Sequence, residues 1–213
     1  MTEKLAKFIE ENINIIESNN FEYLYDLYDT GFDEAAALTE ALYSAGIDPL
    51  PYMEHVPHGF ARDTYGRNYV IPESINSIYA YAFYGNGLTM INIPSSVGTI
   101  GSYAFAFSNL EKIDTADATS IGADCFEACL QLKKVRCNAK IVMQYAFKDC
   151  VELEEIYLGK GVKDIRFGVF NHCPATKIQY EGTMKDWSNI QLAWRWRDAS
   201  LSKIICSDGE VLL

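Results

Sequence analysis

Long apolar runs, an excess of basic residues and catalytic sequence motifs are all missing from this 213-residue chain. No apolar run approaches the roughly 20 residues of a membrane span, and charges break the apolar residues of the N-terminus, so neither a membrane helix nor a secretory signal is expected. With 29 acidic against 18 basic residues, the formal charge is −11, which argues against duplex nucleic acid as the main partner. The chain has no phosphate loop, nucleophile elbow or dinucleotide-binding fingerprint, so an enzyme is not predicted.

What the sequence does contain is enough apolar residues for a folded core, arranged in a repeat. Hydrophobic residues make up 49% of the chain and aromatic residues 13%, which excludes a disordered polypeptide. Five segments end in a phenylalanine that follows an isoleucine or valine by five residues. These phenylalanines, spaced by 22, 21, 21 and 23 residues, are Phe83, Phe105, Phe126, Phe147 and Phe170. Phe60, which lies 23 residues before Phe83, marks a degenerate first coil.

Each repeat phenylalanine is followed by a short strand with alternating apolar residues, such as Leu88, Ile91 and Ile93. A period of about 20–29 residues with such strands is typical of leucine-rich repeats. The sequence therefore predicts an α/β leucine-rich-repeat solenoid of five to six coils with one parallel sheet. Each coil is expected to return through a short helical or irregular segment.

Two stretches show the pattern I-G-x-x-A-F-x-x-C-x-x-L-x-x-I. They read IGADCFEACLQLKKV and, without the glycine, VMQYAFKDCVELEEI. This pattern resembles the BspA-like (treponemal) class of leucine-rich repeats over residues 60–180. The leader LTEALYSAGIDPLPYMEHVP resembles that of uncharacterised repeat proteins from bacteriophages and their hosts, and the tail YEGTMKDWSNIQL resembles the closing element of such proteins. The resemblance implies a binding scaffold without catalytic residues.

The two ends of the chain are predicted to cap this solenoid, which spans residues 56–180. Residues 1–55 combine helical spacing of apolar residues with 12 acidic and 2 basic residues, which predicts an acidic helical N-terminal cap. Residues 181–213 are predicted to form a C-terminal cap, in which Thr183 begins a short helix. A hairpin follows, in which Lys203–Cys206 and Glu210–Leu213 flank a Ser-Asp-Gly turn.

The Trp-Arg-Trp-Arg segment at residues 194–197 has two interpretations. Trp and Arg are enriched in interface hot spots, which makes Trp194 and Arg195 candidate contact residues for a protein partner. Alternatively, the rings of Trp194 and Trp196 both cover the last coil while the two arginine heads reach solvent.

The cysteine and histidine residues are not predicted to form a metal or catalytic site. Cys129, Cys150 and Cys173 each follow a repeat phenylalanine by three residues, so stacking brings them about 4.7–5 Å apart as buried packing residues. The histidines of His55-Val-Pro-His58 have metal-like spacing, but Pro57 disfavours the helical pair that would use it. No metal and no cofactor are therefore expected, and the cysteines suit a reducing cytosol.

The outward residues of the repeated strands are the better candidates for function. One predicted row contains Met90, Lys112, Lys134, Glu155 and Lys177, and the next contains Asn92, Asp114, Arg136, Tyr157 and Gln179. The alternating charges of the first row are explained equally well by cross-strand pairing, which contributes about 0.2–1 kcal/mol per pair.

These patterns predict a non-enzymatic, cytoplasmic scaffold, encoded by a bacterium, phage or prophage, that binds a host or viral protein through the sheet face. Neither nucleic acid nor a membrane is a predicted direct partner. One alternative is that the acidic N-terminal segment acts as a decoy for a nucleic-acid-binding or defence protein. A further alternative is a surface or virion adhesin.

Overall fold

The computed structural model describes residues 55–56, 68–115 and 118–213, which form a parallel β-solenoid of about six turns with little helix. One side of the solenoid, the wide face, consists of the strands β2 Asn68–Val70, β4 Met90–Asn92, β6 Lys112–Asp114, β8 Lys134–Cys137, β10 Glu155–Leu158, β12 Lys177–Tyr180, β14 Lys203–Cys206 and β15 Gly209–Leu212. A second side, the narrow face, consists of the two-residue strands β1 His55–Val56, β3 Ser77–Ile78, β5 Thr99–Ile100, β7 Ser120–Ile121, β9 Ile141–Val142, β11 Asp164–Ile165 and β13 Gln191–Leu192. A third side, the turn side, contains the repeat phenylalanines.

Hydrogen bonding divides these strands into three sheets. The narrow face is one seven-stranded sheet in chain order, with parallel pairing throughout. On the wide face, β6 to β15 form a six-stranded sheet, whereas β2 and β4 form a separate parallel pair. The two wide-face sheets lie next to each other, and the N–H of Glu111 donates to the carbonyl of Thr89 at 3.0 Å between them. The wide face therefore has a discontinuity between its second and third strands.

The turn side has a regular but unusual backbone conformation. The residues two before and two after a repeat phenylalanine have positive φ, as at Tyr103 (57°) and Phe107 (59°). Such a conformation costs about 1–2 kcal/mol for a residue other than glycine. Hydrogen bonds to the next coil offset this cost, with N–H to carbonyl distances of 3.0, 2.8 and 2.8 Å for the pairs Tyr103 to Ala123, Phe105 to Cys125 and Phe107 to Glu127.

The core is built around a stack of the five repeat phenylalanines. All five rings are buried, and neighbouring centroids lie 5.0, 5.2, 5.1 and 5.6 Å apart with interplanar angles of 7° or less. The inward residues of the wide strands, such as Val135 and Ile156, pack from the other side. Because no coil covers its own apolar residues, each coil depends on its neighbours for burial.

The cysteines confirm the prediction of buried packing residues. All six are buried free thiols. The thiols of Cys129, Cys150 and Cys173 each donate to the carbonyl oxygen of the repeat phenylalanine in the preceding coil, at 3.1–3.2 Å. The serine at the equivalent position of the Phe105 coil, Ser108, lies with its Oγ 3.3 Å from the sulfur of Cys129. The sulfur ladder is thus a hydrogen-bonded part of the core.

The C-terminal end closes the solenoid with a helix and a hairpin. Helix α1 spans Met184–Ser188 and begins at a capping box between Thr183 and Asp186. Its buried Trp187 packs against the rings of Tyr180 and Trp196, with centroids 5.4 and 6.0 Å apart. β14 adds to β12 in parallel and then turns back into β15. The predicted helix and hairpin are both present.

One expectation is narrowed by the structure, and others lie outside the described residues. The return segments take the irregular form of the two predicted forms, as turns and two-residue strands, so the described part contains far less helix than an α/β prediction implies. The predicted helical cap lies almost entirely outside the described residues, and the domain boundaries remain predictions. No helix within the described ranges is long and apolar enough to cross a membrane.

Candidate protein-binding face

The strand register brings the two predicted rows together on the wide face. In the first row Lys112 is opposite Lys134, which is opposite Glu155. In the second row Asp114 is opposite Arg136, which is opposite Tyr157. The ten predicted side chains are exposed apart from Tyr157 and Gln179, which are half-buried. The structure confirms the predicted alternation of inward and outward side chains along these strands. It does not test whether the outward side chains bind a partner.

Lys134, Glu155 and Tyr157 form a compact cluster at the centre of the face. The ammonium of Lys134 lies 3.2 Å from a carboxylate oxygen of Glu155 and 4.8 Å from the centroid of the Tyr157 ring. The hydroxyl of Tyr157 donates to the same carboxylate at 3.1 Å. The hydrogen bond from Lys134, followed by the one from Tyr157, lowers the pKa of Glu155 below its usual value. The carboxylate therefore stays ionised under mildly acidic conditions.

Arg136 joins the second row to the end of a more distant strand. Its guanidinium donates to Glu181 at 3.0 Å, and its Nε lies 3.8 Å from a carboxylate oxygen of Asp114. Glu181 directly follows β12, so the arginine side chain reaches across β10. Glu181 was not among the predicted residues, because it lies beyond the alternating positions of its strand.

These ion pairs are solvent-exposed and contribute little to folding. We expect Lys134→Met to lower the free energy of unfolding by less than about 1 kcal/mol, because exposed pairs are screened by water and lose side-chain entropy. Lys177→Met is the matched control, since Lys177 occupies the same row and no carboxylate of the described residues pairs with it. Urea denaturation followed by circular dichroism measures both variants. A loss above about 2 kcal/mol for Lys134→Met alone would show that the cluster is structural.

The sequence did not predict a concavity of about 450 Å³ near the discontinuity of the wide face. It is lined by side chains from β2, β4, β6 and β8, including the exposed apolar residues Val70 (67%) and Met90 (38%). A signal for β2 was available, because Val70 precedes Ile71-Pro72 as Asn92 precedes Ile93-Pro94. Extending the outward rows by one coil would have added Asn68 and Val70.

Trp194 and Arg195 lie away from the wide face. They follow β13 and belong to the turn side, where the carbonyl of Arg195 accepts from the N–H of Gly168 at 2.9 Å. Trp194 covers the last coil only in part, because its ring lies 6.1 Å from that of Phe167 but is 73% exposed, with the Arg195 guanidinium 4.4 Å from its centroid. Of the two tryptophans in this segment only Trp196 is buried, against Phe170. The residues with predicted binding roles therefore lie on two separate surfaces.

The turn side also carries a chain of charged and polar side chains. Lys148 lies 2.6 Å from Glu127 and 3.2 Å from Asp149, and the hydrogen bond to Glu127 is the main cause that raises its pKa. Asp149 in turn lies 2.5 Å from Nδ1 of His172. Lys148 thus bridges two carboxylates, and the His172 ring is hydrogen-bonded to Asp149 rather than to the neighbouring thiol. Among residues 55–56, 68–115 and 118–213, no group of three or more His, Cys, Asp or Glu side chains could hold a metal ion.

The stacked coils, the outward rows and the phenylalanine core define a leucine-rich-repeat solenoid. Six copies of the BspA type leucine-rich repeat region match residues 58–177. The chain therefore belongs to the BspA-type leucine-rich-repeat family, as its repeat pattern predicts. A comparison with curated proteins gives no match.

Solved structures of bacterial leucine-rich-repeat proteins are similar to this chain. The pneumococcal vaccine antigen PcpA matches with a TM-score of 0.54 and 24% identity, covering 61% of this chain and 36% of PcpA. The leucine-rich-repeat protein of T. pallidum matches with a TM-score of 0.53 and 22% identity, covering 65% of this chain and 72% of that protein. This chain thus spans about a third of the length of PcpA, and the likeness concerns the fold.

Proposed function

We propose that this protein is a non-enzymatic scaffold that binds a protein partner through the wide face, centred on Lys134, Arg136, Glu155 and Tyr157. Leucine-rich-repeat solenoids are typically protein-binding scaffolds, and the extended sheet surface is where such proteins bind. The observation that carries the proposal is the pair of in-register rows, in which charged, amide and aromatic side chains stand exposed on consecutive strands.

The chemistry of these rows suits an interface better than a structural role. The core lies on the opposite side of the strands, so the outward residues are free of packing demands. Tyr and Arg are enriched among residues that dominate binding energy, and Arg136 and Tyr157 lie side by side in the second row. Charges of both signs favour a partner with a complementary charge pattern and disfavour a uniform polyanion such as duplex nucleic acid.

We further propose that the protein works in the cytoplasm of a bacterium or of a phage-infected cell. Six free and buried thiols suit a reducing compartment. Fractionation of the native host with an antibody to the chain tests this proposal, and recovery from the cell surface or from purified virions would contradict it.

Affinity capture with charge-reversal variants tests the binding surface. We expect the wild-type chain to retain a specific protein from lysates of the native host, and Lys134→Glu/Arg136→Glu to weaken its binding at least tenfold. The control is Lys140→Glu/Lys163→Glu, which makes the same charge change at exposed residues preceding β9 and β11. Binding constants are then measured with the purified partner by calorimetry.

The outcomes separate clearly. Loss of the partner with the wide-face variant and retention with the control supports the proposal. Equal binding to both variants overturns the location, and the absence of any specifically retained protein counts against a scaffold.

A further inference from the structure

We propose that the concavity between β2, β4, β6 and β8 receives an acidic peptide segment of the partner, with one aliphatic side chain inserted between carboxylate-bearing neighbours. This inference rests on the proposed function and specifies its partner. It is carried by three features of the concavity, which are its apolar floor, an uncompensated positive charge and its place at the discontinuity of the wide face.

The apolar part of the concavity consists of side chains that the core does not use. Val70 of β2 and Met90 of β4 face outward, so both leave apolar surface exposed to solvent. The volume of about 450 Å³ lies within the range of about 300–1,000 Å³ typical of ligand pockets. An aliphatic side chain in this space would cover Val70 and Met90 and remove their apolar surface from water, which favours binding.

The charged part of the concavity is dominated by lysines that face one another. Lys112 is directly opposite Lys134 in the parallel register, and like charges in this position destabilise a strand pair. Lys134 is compensated by Glu155. No carboxylate of the described residues forms an ion pair with Lys112, so its ammonium lacks an acidic partner there. A ligand carboxylate beside Lys112 would relieve the repulsion between the two ammonium groups.

The same residues favour a peptide over a nucleic acid. Asp114 stands in the next row beside Arg136 and lines the concavity together with it. A carboxylate in this place repels a continuous phosphate backbone, whereas a peptide with separate acidic residues avoids it. The apolar floor adds a contact that a sugar-phosphate chain does not exploit. Charge complementarity and the floor together specify an acidic segment with an aliphatic residue.

Selection from a random dodecapeptide library on the full-length protein tests this inference. We expect enriched peptides to contain more Asp and Glu than the input library, grouped around a Leu, Ile, Val or Met. The most enriched peptide is synthesised with a fluorophore and titrated by fluorescence anisotropy. Its binding is expected to weaken at least tenfold when the central aliphatic residue becomes serine.

Variants of the protein locate the bound peptide. Lys112→Glu and, independently, Met90→Glu are expected to weaken binding at least tenfold, with circular dichroism confirming that both variants fold. Lys140→Glu is the control, because it reverses an exposed lysine that precedes β9 on the narrow face and lies outside the concavity. Its affinity for the peptide is expected to stay within twofold of the wild type.

Several results would overturn the inference. These are failure to enrich any peptide, enrichment without an acidic excess, equal binding to Lys112→Glu, and a twelve-residue oligothymidylate binding as tightly as the peptide. If the peptide tests fail while the captured partner still requires Lys134 and Arg136, the scaffold function stands and the peptide specificity falls. If the peptide binds as expected but the Lys134→Glu/Arg136→Glu variant still retains the captured partner, the proposed centre of the binding face is wrong.

Discussion

Phe126→Ala is expected to lower the free energy of unfolding by about 3–5 kcal/mol, which is the usual cost of truncating a buried phenylalanine. The ring of Phe126 is fully buried in the middle of the stack, with Phe105 at 5.2 Å on one side and Phe147 at 5.1 Å on the other. Truncation removes both ring contacts and leaves a cavity between coils that hydrogen bonds hold at a fixed spacing. Urea denaturation followed by tryptophan fluorescence measures the change.

Phe107→Ala is the matched control for this truncation. Phe107 belongs to the coil of Phe105, but its side chain is 49% exposed. Both residues lose the same atoms on mutation, so the difference between the two variants reports burial. The control is expected to lose less than about 1 kcal/mol. A similar loss for both variants would show that the stack contributes no more than an exposed ring.

Stability is also expected to fall as the pH rises past 9, because the core holds several thiols in their protonated form. Burial raises the pKa of Cys129 and Cys137 from about 9 to about 11, and that of Cys173 to about 12. In the unfolded chain these thiols ionise near their ordinary pKa, so above pH 9 the native state binds more protons than the unfolded state. Unfolding free energy then decreases with pH by up to about 1.4 kcal/mol per unit for each such thiol.

The stabilisation is therefore complete below pH 9 and is lost as the pH rises toward 11–12. Urea midpoints between pH 8 and 10 measure the trend below the ordinary pKa of lysine, about 10.4. Cys129→Ser serves as the control, because Ser108 already occupies the equivalent position one coil earlier and does not titrate. The urea midpoint of this variant is expected to decrease less with pH, because one of the buried thiols no longer titrates. A wild-type midpoint that is constant from pH 8 to 10 would contradict the prediction.

The coil spacing and the outward rows could be predicted because both follow from simple periodicities. The repeat phenylalanines are separated by one coil each, so their alignment predicts the stack. Alternation within a strand has a period of two, so an inward Val135 requires outward neighbours at Lys134 and Arg136. The hydrogen-bonded register then placed both rows as expected.

The turn side could not be predicted because its conformation is stabilised between coils rather than within them. Positive φ is ordinarily signalled by Gly, Asn or Asp, yet here Tyr103, Ala128 and Tyr145 adopt it. Local sequence preference disfavours this backbone, and the hydrogen bonds to the next coil outweigh that preference. The exposure of Trp194 and the concavity likewise depend on how neighbouring coils meet, which a single repeat does not encode.

The turn side has a consequence for the polarity of the whole solenoid. At Tyr145, Phe147 and Asp149 the N–H groups all point toward the C-terminal end, where they meet carbonyls of the next coil. Aligned peptide dipoles add, as they do along a helix, so this side carries partial positive charge where the last coil ends. In the Phe170 coil the N–H groups of Gly168 and Phe170 still meet backbone carbonyls at residues 195 and 196, whereas the N–H of His172 donates to the carboxylate of Asp198 at 2.5 Å. Asp198 therefore replaces a next-coil carbonyl at this position, as an acidic N-cap side chain does at the first turn of a helix.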